Sequence, residues 1–198
     1  MNVAGYLEKV NCRFPFKINK ELGSGADGQV FSLKKDLNKV IKLSIIFGES
    51  EAEVTDNFDS IKSNYNYLIS NCFKNIAQVF EIGYVVSGKR VGGYSGNYLI
   101  YYSVMEKLSE PSPEELKVLN TVCHSFFCKE KLNVLDIKLK ELNNYFSFDK
   151  KKIIEFYKFL RNCPIHHNDI HDKNIMKDDC GNFKLVDFDR IGLKNDGF

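Results

Sequence analysis

The stretch from Ile165 to Asp189 constrains this chain most, because it sets charged and amide side chains at fixed spacings between short apolar runs. His167, Asp169 and Asn174 form the pattern H-x-D-x-x-x-x-N. Two β-prone segments come next, and the polar residues Asp-Asp-Cys-Gly-Asn between them indicate a hairpin. These segments are 175–177 and 183–186, and Asp-Phe-Asp follows the second of them.

A second constraint lies near the start of the chain, where Gly23, Gly25 and Gly28 form G-x-G-x-x-G between two strand candidates. The string alone is weak evidence, because glycines also mark plain hairpins and the first turn of dinucleotide-binding folds. Here a β-prone segment, 29–33, follows the glycines, and a polar turn leads to another, 39–43. Three antiparallel strands with glycines at the first turn predict a flap over phosphates, since backbone N–H groups can approach phosphate oxygens without a Cβ in the way.

Lys42 lies in the third strand candidate, within Val40-Ile41-Lys42. Alternation along a strand puts Val40 and Lys42 on one face, so the ammonium group is expected beside an apolar surface suited to an adenine ring. A lysine in a strand is usually solvated. Its position after the glycine flap favours phosphate binding instead.

Periodicity outlines the remaining elements. An extended lead, 1–16, is expected before a first strand at 17–22, and a helical apolar stripe predicts a helix over 49–72. Segments 78–86 and 97–105 are typical of strands joined by a Gly-rich hairpin, 87–96, which completes a five-stranded sheet. Ser112-Pro113-Glu114-Glu115 is a strong helix start with its own cap. Further helices are expected over 134–145 and after Ser147.

Composition excludes some classes of partner. A length of 198 residues fits one domain, with room for two small lobes, and a net charge of +2 is too small to indicate binding to nucleic acid. The first residues lack the apolar core of a signal peptide, and no apolar run approaches a membrane span of roughly 18 residues. We therefore expect neither nucleic acid nor a membrane as partner, and a cytoplasmic location in the producing cell or in a host.

The six cysteines are scattered, which favours reduced thiols over a disulfide framework. Cys123, His124 and Cys128 could suggest zinc. Their spacing lacks a second ligand pair, so buried thiols on a helix are the favoured interpretation.

Together these motifs resemble the protein-kinase-like superfamily of phosphotransferases, in which the same parts occur in the same order. Val104-Met105-Glu106-Lys107-Leu108 is similar to the hinge between kinase lobes. The resemblance implies an α+β, bilobal fold with ATP and Mg²⁺ as cofactors. Residues 1–106 would be the N-lobe, a five-stranded antiparallel sheet plus a helix, and residues 107–198 a reduced, mainly helical C-lobe, together one kinase domain.

The resemblance also implies roles for single residues. Asp169 would accept the proton of the acceptor hydroxyl, Asn174 and Asp187 would hold Mg²⁺, and His167 would brace the loop. Lys42 would bind the nucleotide phosphates as part of the catalytic set. The other nucleotide contacts are assigned to Leu22, Gly23, Gly25, Gly28, Val30, Val40, Met105, Glu106, Leu108 and Met176.

In the family a helix carries a Glu that pairs with the strand lysine, and this chain departs from that pattern. Glu51 and Glu53 come early in the predicted helix, whereas counting back from the next strand points to Asn64. Glu53 is the first choice as partner of Lys42.

Further departures bear on the substrate. Asn168 stands where many regulated protein kinases have Arg, which implies no control by activation-loop phosphorylation. His171 stands where Ser/Thr kinases usually have Lys, and Asp189 replaces the usual Gly of the Asp-Phe-Gly motif. Both residues look more like those of aminoglycoside-type or lipopolysaccharide-sugar kinases. Nine residues follow Asp189, so we expect the peptide-seating platform to be absent and its floor to be covered by 112–146 or by a partner.

We therefore expect a minimal Ser/Thr protein kinase that phosphorylates an unidentified protein substrate. Two alternatives stay open: a small-molecule kinase of the aminoglycoside or sugar type, and a pseudokinase that acts as a partner-binding module.

Overall fold

The chain divides into two units, which we describe separately. The first contains Met1–Cys72 and Gln78–Lys107, and the second contains Phe73–Ala77 and Leu108–Phe198. The structure, a computed structural model, describes residues 3–9, 16–25, 28–90, 95–163, 165–189 and 191–193. The division after Lys107 falls next to the predicted hinge, and the assignment of the two parts to kinase lobes stays a prediction.

An antiparallel sheet of five strands forms the first unit, as the sequence predicts. The strands are β1 (Ile18–Ser24), β2 (Gln29–Leu33), β3 (Lys39–Gly48), β4 (Val79–Lys89) and β5 (Asn97–Glu106), in the order β1-β2-β3-β5-β4. The central strands β3 and β5 pair without interruption from Lys39↔Glu106 to Gly48↔Asn97. Strand β3 is therefore longer than the predicted segment, which ended at residue 43. Residues 91–94 of the expected Gly-rich hairpin lie outside the described part.

The helix α2 (Glu51–Ser70) covers part of one face of this sheet. Its buried Val54 and Phe58 pack with Leu99 and Tyr101 of β5. Ser50 caps the helix by accepting a hydrogen bond from the N–H of Glu53, so the helix begins two residues after the predicted start at 49. The predicted amphipathic stripe is thus confirmed as the sheet-facing side of the helix.

The opposite face carries a helix that the sequence interpretation missed. We expected residues 1–16 to be extended, but Val3–Lys9 form helix α1. Val3 and Leu7, one helical turn apart and both buried, pack with Ile41 and Ile100 of the sheet. A helix of 7 residues is unstable alone, so this burial supplies the stability that local sequence does not.

The second unit is mainly helical around one apolar core. Its helices are α3 (Pro113–Phe127), α4 (Leu132–Leu142) and α5 (Lys150–Asn162). The helix α3 begins at the predicted capping box, with Ser112 as cap and Pro113 in the first turn. All three helices contribute fully buried side chains to the core, among them Leu119, Leu135, Leu139, Ile153 and Phe156.

Two short antiparallel ladders complete the second unit. Strands β7 (Ile175–Lys177) and β8 (Phe183–Leu185) form the predicted hairpin. Strands β6 (Ile165–His167) and β9 (Ile191–Leu193) pair with each other. The sequence interpretation did not predict this pairing. Among the described residues, no helix is both long and apolar enough to cross a membrane.

An ion pair ties the start of α3 to strand β7. The carboxylate of Glu115 accepts a hydrogen bond from Ser112 N at 2.8 Å, and its Oε2 lies 2.9 Å from the Lys177 ammonium nitrogen. Burial raises the pKa of Glu115, but the hydrogen bond from Ser112 and the charge of Lys177 outweigh it, so the pKa is lowered. The folded state therefore favours the ionised carboxylate.

Replacing Glu115 with Gln is expected to lower the free energy of unfolding at pH 7 by about 1.5–3 kcal/mol, since a charge-assisted hydrogen bond is lost. Because the folded pKa is lowered, this contribution is present above the ordinary pKa of 4.5 and disappears as the pH falls below it. Urea unfolding at pH 7 and pH 3 measures both effects. Glu110→Gln, at an exposed glutamate, is the control; an equal loss in both variants at pH 7 would contradict the prediction.

Candidate active site

The hairpin of β7 and β8 brings the two proposed metal ligands to the same end of one ladder. Ile175 pairs with Leu185, and the ladder continues with a hydrogen bond from Val186 N to Asn174 O at 3.0 Å. Asn174 precedes the first strand, and Asp187 follows Val186 after the second. Residues 13 positions apart in sequence therefore become backbone neighbours.

Asn174 is also joined to the proposed catalytic base. Its Nδ2 donates to the backbone oxygen of Asp169 at 3.0 Å and lies 3.4 Å from Asp169 Oδ2. Asn174 is only 8% exposed, whereas the side chain of Asp169 is 39% exposed. The amide thus contacts a carboxylate that remains exposed to solvent.

His167 braces the loop from behind. Its Nε2 donates to the backbone oxygen of Val186 at 2.9 Å, and its ring meets that of Phe188 edge to face at 5.9 Å between centroids. Both partners flank Asp187 in sequence. The two contacts therefore hold the backbone on either side of that carboxylate, and the role of His167 in catalysis stays a prediction.

Asp187 has a backbone conformation that is uncommon for a residue with a side chain. Its φ angle is +66°, in the left-handed region. Such a conformation costs free energy outside glycine and is retained where the surrounding structure enforces it, most often at functional sites. The preceding residue, Val186, is held by hydrogen bonds to Asn174 and His167.

His171 lies beside Asp169 as well. Its Nε2 is 3.6 Å from Asp169 Oδ2, and its side chain is 42% exposed. The imidazole can therefore orient the carboxylate or contact a substrate next to it. This is the residue that replaces the usual lysine of Ser/Thr kinases.

Asn174 and Asp187 suit a magnesium ion. The Nδ2 of Asn174 is used by Asp169, so Oδ1 is the amide atom that could bind a metal. Mg²⁺ prefers oxygen ligands, keeps several waters and is often bound by one or two carboxylates together with substrate phosphates. Within the described residues no group of three or more His, Cys, Asp or Glu side chains could hold a metal by itself. Binding of Mg²⁺ by Asn174 and Asp187 stays a prediction.

The first unit presents the predicted nucleotide-binding residues on one face of its sheet. Val30 pairs with Lys42, and Val40 pairs with Met105. Directly paired residues share a face, as do residues two apart on a strand, so these four side chains lie together. Lys42 is 6% exposed, so its side chain is buried on this face, where Val30 and Ser103 are its directly paired neighbours.

The glycine flap is a tight turn between β1 and β2. Gly25 N donates to Gly28 O at 2.9 Å, while Ala26 and Asp27 lie outside the described residues. Leu22, Gly23 and Gly25 are exposed along this edge. A Cβ added at Gly28 would collide with Leu43 O and come within 2.8 Å of Ser44 Oγ, so the turn packs closely on β3.

Gly28→Ala is expected to destabilise the protein by about 1–3 kcal/mol, because an added methyl group has no space between the turn and β3. Gly23→Ala, where nothing lies within 4 Å of the added Cβ, is the matched control and should change stability by about 0.5 kcal/mol or less. Urea unfolding of the two variants measures the difference. Equal stabilities would show that the turn does not pack on β3 in solution.

Glu53 lies in the exposed first turn of α2. Its Oε2 accepts a hydrogen bond from Glu49 N at 2.7 Å, and its own N–H donates to Ser50 Oγ at 3.1 Å. The side chain thus stabilises the helix start. Pairing of this carboxylate with Lys42 stays a prediction.

The hinge-like residues belong partly to each unit. In the first, Met105 is buried and Glu106 N donates to Gln78 O at 2.9 Å, while Glu106 Oε1 accepts from Gln78 N at 2.6 Å. In the second, Leu108 and Met176 are half-buried. Adenine binding by these residues stays a prediction.

The prediction of buried thiols on a helix is correct for Cys123 but not for Cys128. Cys123 is buried, and burial, together with the charge of Asp172, raises its pKa to about 12, so the thiol is unreactive. Cys128 caps the helix and is exposed, with Sγ 3.8 Å from His124. The expectation of two buried thiols is therefore wrong for Cys128, because it lies beyond the buried face.

Two serines on the Lys42 face were not singled out from the sequence. Ser44 follows Lys42 by two residues, and Ser103 pairs with Lys42 across the ladder. Each is 1% exposed, and neither hydroxyl has a hydrogen-bond partner in the described part of the chain. For Ser44, the signal available in the sequence was its position two residues after Lys42 on the same strand, which puts both side chains on one face.

No protein-family model matches the chain, and no curated protein shows significant similarity to it. The structure itself establishes an α+β chain with a five-stranded antiparallel sheet and helices.

Proposed function

We propose that the chain is an ATP- and Mg²⁺-dependent phosphotransferase, most simply a minimal Ser/Thr protein kinase. The observation that carries the proposal is the network of the second unit: Asn174 bound to Asp169, and His167 bound to Val186 beside Asp187. Phosphoryl transfer asks a protein mainly for positioning and charge neutralisation. A fixed carboxylate beside two oxygen ligands meets that demand.

The proposed roles follow from this geometry. Asp169 accepts the proton of the attacking hydroxyl, because its carboxylate is accessible and oriented by an amide and an imidazole. Asn174 Oδ1 and Asp187 bind Mg²⁺, which neutralises the phosphates. The buried Lys42 contributes a positive charge for nucleotide phosphate.

Nucleotide binding is tested by thermal unfolding with Mg·ATP. At a concentration 100 times the dissociation constant, the ligand should stabilise the wild type by about 2.7 kcal/mol. Lys42→Met should remove most of this gain. Lys39→Met is the matched control, since Lys39 lies on the same strand with a 35% exposed side chain paired to Asp36. Identical ligand responses in the two variants would contradict a phosphate role for Lys42.

The acceptor is tested by transfer of labelled phosphate from ATP. A protein kinase should label itself or a basic protein substrate, whereas a small-molecule kinase should consume ATP only with an aminoglycoside or a sugar. The contact between His171 and Asp169 favours this second candidate, because it is the part of the loop that departs from Ser/Thr kinases. Transfer of labelled phosphate to protein in the absence of an aminoglycoside or a sugar would favour the protein kinase.

A partner-binding pseudokinase is the third candidate. The capping role of Glu53 motivates it, since that carboxylate already accepts a hydrogen bond from Glu49 N. Stabilisation by Mg·ATP without transfer to any acceptor would favour this candidate over both kinases.

A further inference from the structure

Gln29 is a buried polar residue at the base of the glycine flap. It begins β2 directly after Gly28, and it pairs with Ser24 of β1 and with Leu43 of β3. Only 3% of the residue is exposed. Burial of an amide side chain is costly unless its polar atoms form hydrogen bonds. The partner of this side chain therefore helps to hold the base of the flap.

That partner is helix α1. Oε1 of Gln29 accepts a hydrogen bond from Ala4 N at 2.9 Å, across 25 positions in sequence. Ala4 is the second residue of α1, and the first N–H groups of a helix have no acceptor within the helix. One hydrogen bond thus serves both a buried side chain of the sheet and the start of the helix. It connects α1 to the strand end that bears the glycine flap.

Side-chain packing keeps α1 on the sheet. Val3 and Leu7 are buried in the apolar cluster of this sheet face. The ring of Tyr6 meets that of Tyr98 edge to face, at 4.9 Å between centroids. A helix of 7 residues is unstable without such contacts, so α1 should unfold when it leaves the sheet. Its departure would also break the hydrogen bond to Gln29, so the docked and undocked states of α1 differ at the base of the flap.

We propose that α1 regulates the glycine flap, with Gln29 as the positioning residue between them. While α1 is docked, Gln29 holds the base of the turn in which Gly25 N donates to Gly28 O at 2.9 Å. When α1 leaves the sheet, this turn opens more often. The consequence for Mg·ATP rests on the proposed function: a loosened flap binds phosphates less well. By thermodynamic linkage, bound Mg·ATP then favours the docked state of α1.

Amide hydrogen exchange of the full chain without nucleotide, measured by NMR, tests the link between helix and flap. Gln29→Met keeps the length of the side chain and removes the acceptor, so the amides of Ala4 and Gly25 should exchange about 3- to 10-fold faster. Ser32→Ala is the matched control, since Ser32 is another buried polar residue of β2, and its Oγ accepts from Lys20 N at 3.3 Å. This control should leave the exchange of Gly25 unchanged. Unchanged exchange of Gly25 in Gln29→Met, or an equal increase in both variants, would overturn the proposal.

A second variant separates the helix from Gln29 itself. Val3→Asp places a charge in the buried contact of α1 and should undock the helix, so the amide of Gly25 should again exchange faster. Because Gln29 is proposed to act through α1, adding Gln29→Met to Val3→Asp should increase this exchange little further. Additive increases in the double variant would show that Gln29 acts on the flap without the helix, against the proposal.

Titration with Mg·ATP tests the consequence for the site. Gln29→Met should weaken Mg·ATP binding about 3- to 10-fold, whereas Ser32→Ala should bind like the wild type. Mg·ATP should also slow the exchange of the Ala4 amide in the wild type but not in Gln29→Met, a response that a merely structural role of Gln29 would not produce. Equal affinities of wild type and Gln29→Met would refute control of nucleotide binding by α1. A wild type that binds no Mg·ATP would instead contradict the proposed function, and the exchange of Gly25 in the protein alone would still decide whether α1 controls the flap.

Discussion

Asp169→Asn is expected to lower the rate of phosphoryl transfer by about 10²- to 10⁴-fold, the usual effect of removing a general base. Asparagine has nearly the same shape and can still accept from Asn174, so the loop should keep its structure. It cannot accept a proton from the substrate hydroxyl at neutral pH. The loss should therefore appear in kcat, with little change in the affinity for Mg·ATP.

The same measurement needs a control for lost negative charge. Asp179 lies on the exposed turn between β7 and β8, and Asp179→Asn should retain wild-type activity. Thermal unfolding of Asp169→Asn should stay within about 1 kcal/mol of the wild type, which separates lost chemistry from lost folding. Wild-type turnover by this variant would show that another group takes the proton.

The sequence predicted the first unit well where local signals and burial agree. Strand β2 runs over Gln29–Leu33 as expected, because glycines precede it, a polar turn follows it, and its residues are β-prone. The start of α3 was also correct, since the capping box at Ser112 and Glu115 is a local device that needs no tertiary contact.

Other parts depend on contacts that are distant in sequence. Helix α1 exists through the burial of Val3 and Leu7 on the sheet, and two apolar residues are too few to indicate a helix. The ladder of β6 and β9 joins three-residue strands on either side of the loop. So short a strand carries almost no periodic signal, and its pairing is fixed only when the loop between the strands folds.

In the candidate site, too, local spacing could be predicted from the sequence, whereas features that depend on distant contacts could not. The spacing of Asp169 and Asn174 predicts their proximity, because five residues can close a loop on themselves. The left-handed conformation of Asp187 follows from its neighbours: Val186 is held by Asn174 and by His167, which lie 12 and 19 residues before it. Sequence patterns indicate which residues take part, and the tertiary hydrogen bonds decide their conformation.

Phe156→Ala should destabilise the protein by about 3–5 kcal/mol, the typical cost of deleting a fully buried phenyl ring. Phe156 of α5 has no exposed surface, and its ring lies 6.0 Å from that of Phe183 in β8 and 6.4 Å from that of Phe159. The smaller side chain leaves a cavity between a helix and the hairpin. Urea unfolding followed by far-UV circular dichroism measures the loss.

Phe127→Ala removes the same atoms from a 61% exposed position, so its cost should be about 1 kcal/mol or less. The comparison also bears on the proposed chemistry. Strand β8 ends at Leu185, two residues before Asp187, so loss of Phe156 should weaken the support of this proposed metal ligand without touching it. Phe156→Ala should lose activity on warming together with its fold, whereas Asp169→Asn should be inactive while fully folded. If both variants lost activity only together with their folded structure, Asp169 would have no chemical role distinct from supporting the fold.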